Sequence, residues 1–167
     1  KHACSRQPMN LWNELSGHQA GPAEPLAPTL ARHATPNLYQ AEVYMELARF
    51  AKDTLKVAGL DLSAATAIPV PPVDLIEPHQ PVDELAATLL YRVSHAPYRA
   101  LLRVVQGWTD KQKHELIDVA LRKRGPYDEL IKEFRSGYGF VFDILMDIGG
   151  WRDLHRHRRC QQIQQSF

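Results

Sequence analysis

Ten of the twelve prolines lie at or before residue 81, leaving Pro97 and Pro126 as the only two in the rest of the chain. Proline has no N–H and fixes φ at about −65°, so it is excluded from helix interiors and central strands. The first half can therefore build a long regular element only where prolines are missing. Residues 1–36 alternate polar, Gly and Pro positions without a sustained period and read as loop. Pro69, Pro71, Pro72, Pro78 and Pro81 make residues 69–81 an extended connector, a place for a subdomain boundary.

Between these two stretches a helical period runs from Leu38, with Leu38, Ala41, Met45, Ala48 and Leu55 on one stripe. Thr35 before Pro36 marks its start and Gly59 its stop. Beyond the connector, Ala86, Leu89, Leu90 and Val93 form one helix, and Tyr98, Leu101, Leu102 and Val105 a second that begins near Pro97. Thr109 with Gln112 is a capping box for a third, closed by Gly125 and Pro126, and a fourth is expected from Pro126 to Arg135. The period then becomes two. Tyr138, Phe140, Phe142, Ile144, Met146 and Ile148 alternate with Gly139, Val141, Asp143, Leu145 and Asp147, a strand expected to turn its aromatic face inward and to end at Gly149-Gly150. The tail from Trp151 to Phe167 has no breaker and is rich in Arg and Gln, so it is expected to be largely helical. The expected class is α+β: a mostly helical chain with an aromatic strand followed by an Arg-rich helix. Its organisation is a loop-rich segment with one long helix over residues 1–81, then a helical bundle with the strand and the Arg-rich helix over 82–167, within one domain.

The length of 167 residues suits one domain, and 44% hydrophobic with 23% charged residues is an ordinary globular balance. No apolar run approaches the roughly 18 residues of a membrane span. Twenty basic residues against 19 acidic ones leave a net charge of +1, which excludes a function driven by overall charge. Cys4 and Cys160 form no paired framework, so a reducing, cytoplasmic setting is expected. Lys1 is not a methionine and Phe167 falls within a polar, helix-compatible stretch, so both ends read as cut.

Charge is concentrated locally. Arg152, Arg156, Arg158 and Arg159 face only Asp153 over residues 151–167, a local charge of +3. Guanidiniums crowded together repel, so such a cluster suits a bound anion or a partner's carboxylates, and a helix start after the Gly-Gly corner would favour phosphate. A solvated basic face is the alternative. His155, His157 and Cys160 carry metal-capable atoms, but without a His pair at i,i+4 or a second Cys no metal site is expected. Cys160 has no base partner in the sequence.

Phe140-Val141-Phe142-Asp143-Ile144 followed by Arg152-Asp153-Leu154-His155-Arg156-His157-Arg158 resembles the flavin-dependent thymidylate synthase family, which writes F-T-F-x-I and then R-Q-x-x-R-H-R at the same spacing. The match covers residues 138–167. Ser166 falls on the second serine of the family signature, whereas Gln161, Ile163 and Gln164 replace its first serine, its asparagine and its glutamate, and Asp153 replaces a glutamine. Gly125-Pro126-Tyr127-Asp128-Glu129 stands where the family has His-x-Ser-Pro-x-Glu-His, so the chain resembles a divergent or partial member. The resemblance implies an FAD-dependent methyltransferase that converts dUMP to dTMP with methylenetetrahydrofolate and NADPH, as a homo-oligomer with FAD between subunits. It implies Arg156, His157 and Arg158 as flavin contacts, Ser166 as a dUMP contact and Arg152 as a phosphate or salt-bridge residue. The basic run Arg122-Lys123-Arg124 is a second source of phosphate contacts. The alternative is a non-catalytic relative or interaction domain whose basic helix binds nucleic acid or an acidic partner.

Overall fold

A computed structural model describes residues 38–59, 71–77, 80–136, 139–157 and 159–165. The chain divides into two compact units, residues 1–38 and 39–167, and the described elements belong to the second apart from Leu38. Their order is α1 (Leu38–Val57), β1 (Val73–Ile76), α2 (Pro81–Arg92), α3 (Tyr98–Gln106), α4 (Asp110–Leu121), a 3₁₀ turn (Lys132–Arg135), β2 (Val141–Ile144) and α5 (Ile148–Leu154). The mixture is mostly helical with one small antiparallel sheet, an α+β arrangement. No described helix is long and apolar enough to cross a membrane.

Helix α1 ends as expected, with Gly59 at φ 75° donating its N–H to the Lys56 carbonyl. Its buried stripe is different. Tyr39, Val43, Leu47, Ala51 and Leu55 face the core, while Leu38 and Met45 are 72% and 53% exposed. Glu42, Arg49 and Lys52 border the Met45 side, so burying that stripe would drag charge inward; the neighbours of the true stripe include Tyr44 and Phe50, which pack at its edge.

Helix α2 is the centre of the bundle. Seven of its residues, Asp83, Glu84, Ala86, Ala87, Thr88, Leu89 and Leu90, are buried, and it packs against α3, α4 and the 3₁₀ turn. The buried acid Asp83 is paired with Lys113 of α4 at 2.6 Å. Helix α3 starts after Pro97, and α4 carries the Thr109–Gln112 capping box with both reciprocal bonds in place. Helix α4 stops at Leu121, ahead of Gly125.

Three expectations are corrected. The connector contains β1, which pairs with β2 in the register Val73↔Ile144, Asp74↔Asp143, Leu75↔Phe142 and Ile76↔Val141. The expected fourth helix from Pro126 to Arg135 shrinks to the 3₁₀ turn, because Ile131 and Glu133 are both fully buried and an α-helix would set them about 200° apart around its axis. The strand covers only residues 141–144 and its aromatic face points outward: Phe140 and Phe142 are 72% and 56% exposed. Val141 packs against the core instead, and Asp143 turns in beside it to accept bonds from Tyr91 Oη and the Tyr98 N–H, both at 2.9 Å. Tyr138 lies outside the described residues.

Candidate functional site

Helix α5 begins at a corner made by Asp147, whose carboxylate accepts a 2.7 Å bond from the Gly150 N–H. Gly149 and Gly150 thus sit in the first turn of α5 rather than ending the strand. The positive end of this short helix is occupied by the chain's own carboxylate, so the expected phosphate cradle at that end is not formed.

The helix ends at Leu154, which corrects the expected Arg-rich helix over the tail. The physical cause is Gln162. Its amide donates to the carbonyls of Leu154 and His157, both at 2.9 Å, and its Oε1 lies 3.2 Å from His155 Nδ1. Carbonyls at the end of the helix are thereby satisfied by a side chain, and the chain turns back on itself. Arg156 and His157 fall in this turn, both exposed, and Arg152 is exposed on α5. Among the described residues, none of these three and neither Arg159 nor Asp153 forms an ion pair within the chain. Arg158 and Ser166 lie outside the described residues. Cys160 is a free, exposed thiol.

Residues 161–165 run without regular structure back to the bundle. Arg92, the last residue of α2, donates from Nη1 to the Gln164 carbonyl at 2.8 Å, and Gln165 Nε2 donates to the Ala96 carbonyl at 2.8 Å. Arg92 in turn lies over the ring of Tyr44 from α1, 4.7 Å from its centroid, and its Nε is 3.7 Å from Glu133 Oε1. Glu133 on the 3₁₀ turn is 1% exposed and accepts from Tyr44 Oη at 3.2 Å. Burial pushes its carboxyl above the usual carboxylate range, against the pull of Tyr44 and Arg92; burial, with the Glu133 charge, pushes the Tyr44 phenol up to about 12.

These groups line an open cleft of about 280 Å³, with Gln40, Tyr44, Arg92, Lys132 and Glu133 on one side and Trp151, His155, Gln162, Ile163 and Gln164 on the other. The rings of Trp151 and His155 lie tilted against each other, with 5.1 Å between centroids. Two cations stand over one buried carboxylate, so the lining favours a small anionic or polar planar group. His155 belongs to the cleft, whereas Arg156, His157 and Arg152 do not line it. Gln164 takes part through its main-chain carbonyl, so this contact does not depend on its side chain. Tyr44, Arg92 and Glu133 carry no motif in the sequence; the one trace is Arg92 closing a helix whose other charged residues, Asp83 and Glu84, lie in its first turn.

The run Arg122-Lys123-Arg124 is already engaged. Arg122 and Lys123 lie 3.9 and 3.6 Å from Glu46, and Arg124 donates to the Asp128 carbonyl at 2.9 Å. Compared with known proteins, the chain matches no protein-family model, no curated protein and no solved structure.

Proposed function

We propose that this chain belongs to an FAD-dependent enzyme of the flavin-dependent thymidylate synthase type, acting in the reductive methylation of dUMP to dTMP with methylenetetrahydrofolate and NADPH. The observation that carries the reading is the turn after α5: Arg156 and His157 are exposed there, anchored through the backbone by Gln162, with no carboxylate partner among the described residues. Guanidinium and imidazole donors of this kind suit the carbonyl edge of a flavin and its pyrophosphate. FAD, when bound, supplies the redox chemistry. The chain's own part is to orient the ring system through Arg156, His157 and Arg158, to neutralise phosphate with Arg152, and to offer Ser166 to the nucleotide. Because Arg152, Arg156 and His157 are exposed, a second subunit would complete the site, in keeping with a homo-oligomer that holds FAD between its members. A cytoplasmic setting, with its reduced thiols, suits such an enzyme.

Titration of FAD followed by flavin fluorescence tests this. Saturable binding is expected, with Arg156→Ala and His157→Ala each weakening it about tenfold or more, the loss of a charge-assisted contact. Absence of binding by a folded chain, together with RNA or DNA binding that falls steeply with salt, would instead select the nucleic-acid reading of the same basic segment.

A further inference from the structure

A buried ionised carboxylate is a costly way to hold a fold together. Its desolvation offsets much of what its partners return, and apolar residues of the same volume commonly serve stability as well or better. Glu133 is fully buried, and besides its own backbone its partners are Tyr44 Oη at 3.2 Å and Arg92 Nε at 3.7 Å. Arg92 is the shared member of a chain of contacts. It is held from below by Glu133, from the side by the Tyr44 ring, and it reaches forward to the Gln164 carbonyl at 2.8 Å. Residues 161–165 have no ladder or helix of their own, so this bond, the Gln165–Ala96 bond and the Gln162 contacts to α5 are what fix their path. The path of that segment sets the turn that carries Arg156 and His157, through the Gln162 amide on the His157 carbonyl at 2.9 Å.

We propose that Glu133 is a positioning residue: acting through Arg92 it clasps residues 161–165 to the end of α2, and so fixes the place of the exposed Arg156-His157 turn. The inference rests on the FAD reading only for the purpose of that turn; the clasp itself stands on the contacts just given. The charged and titratable groups facing Glu133 are Tyr44 from α1, Arg92 from α2 and Lys132 from its own turn, with His155 across the cleft. In this proposal the effect of Glu133 on flavin or nucleotide is transmitted by the segment.

Hydrogen exchange followed by mass spectrometry on the full chain separates these roles. Arg92→Met removes the donors but leaves Glu133 buried and unpaired, so the double variant Arg92→Met/Glu133→Gln, which removes both charges, guards against simple unfolding. In the double variant, the amides of His155, Arg156 and His157, which donate within the turn, are expected to exchange about ten- to a hundredfold faster once the segment that holds the turn is released, while those of α3 and α4 stay unchanged. Arg92→Lys, which retains charge but not the fork, should restore part of the protection. Unchanged exchange at 155–157 would overturn the clasp. FAD titration of the same proteins supplies the second arm: faster exchange with affinity reduced about tenfold or more supports positioning, and faster exchange with unchanged affinity overturns it. If the parent protein binds no FAD, the functional reading fails by itself, and the exchange result still decides whether the clasp exists.

Discussion

Asp143 shows how a single side chain can choose the face of a strand. Its carboxylate caps the N-terminus of α3 from a distance of 45 residues in sequence, accepting from the Tyr98 N–H at 2.9 Å, and takes a second bond from Tyr91 Oη at 2.9 Å. An inward aromatic face would have left both donors unpaired and pointed Asp143 to solvent. Asp143→Ala is therefore expected to cost about 2–4 kcal/mol in urea unfolding, and Asp143→Asn, which keeps one acceptor, less than half of that. A cost near zero would show that water serves the two donors equally well. Glu133 gives a prediction of opposite sense. Burial raises its pKa in the folded state above the unfolded value, so folding takes up a proton as pH falls. The stability that Glu133 withholds at neutral pH is thus returned as pH drops through its raised pKa, and the gain levels off below the ordinary carboxylate value. Melting temperatures of the parent and of Glu133→Gln should differ most on the alkaline side of the raised pKa, with the variant higher, and converge as pH falls through it toward the ordinary carboxylate range. A difference constant across that range would mean that Glu133 does not titrate there.

At the scale of elements, the two-stranded sheet separates two kinds of apolar residue that share one pattern. Ile76 is fully buried and Val141 packs at the core, whereas their outward neighbours Leu75 and Phe142 form a directly opposed, exposed pair. Asp74 lies on the inward side with Asp143 and is held below the usual carboxylate range by its bidentate bond to Arg99, at 2.8 Å to each oxygen. Ile76→Ala should cost about 2–5 kcal/mol, the range for large-to-small changes in a packed core. Phe142→Ser should change stability by less than about 1 kcal/mol, because it removes a side chain that the fold of this chain leaves in solvent. Parallel chemical-denaturation curves would check both, and equal costs would contradict the assignment of faces. Helix ends were the more readable elements. Pro97, the Thr109–Gln112 box and Gly59 act over three or four residues, and each stands where its local chemistry places it.

For the whole molecule, the residues that carry local chemistry were legible and the pairings between distant segments were not. The α+β class, the helices over Leu38–Val57, Pro81–Arg92, Tyr98–Gln106 and Asp110–Leu121, and the strand core at Val141–Ile144 follow from periodicity and caps within one window of sequence. The concentration of positive charge over residues 151–167, four arginines against one aspartate, was also legible, but it was expected on a helix, and Arg156 and His157 lie in a turn. Tertiary structure alone decided three things. It made a strand of Val73–Ile76 inside a proline-rich connector by supplying a partner nearly 70 residues later. It turned the aromatic face outward, because a period of two says only that two faces differ, and the donors on Tyr91 and Tyr98 decide which one is wet. It also stopped the last helix at Leu154 and brought Tyr44, Arg92 and Glu133 against residues 162–164, since hydrogen bonds from Gln162 and Arg92 satisfy carbonyls that a helix would otherwise have used. Periodicity and capping are short-range properties that the chain carries everywhere, whereas the choice of partner for a buried polar group depends on which segments the hydrophobic core has already brought together.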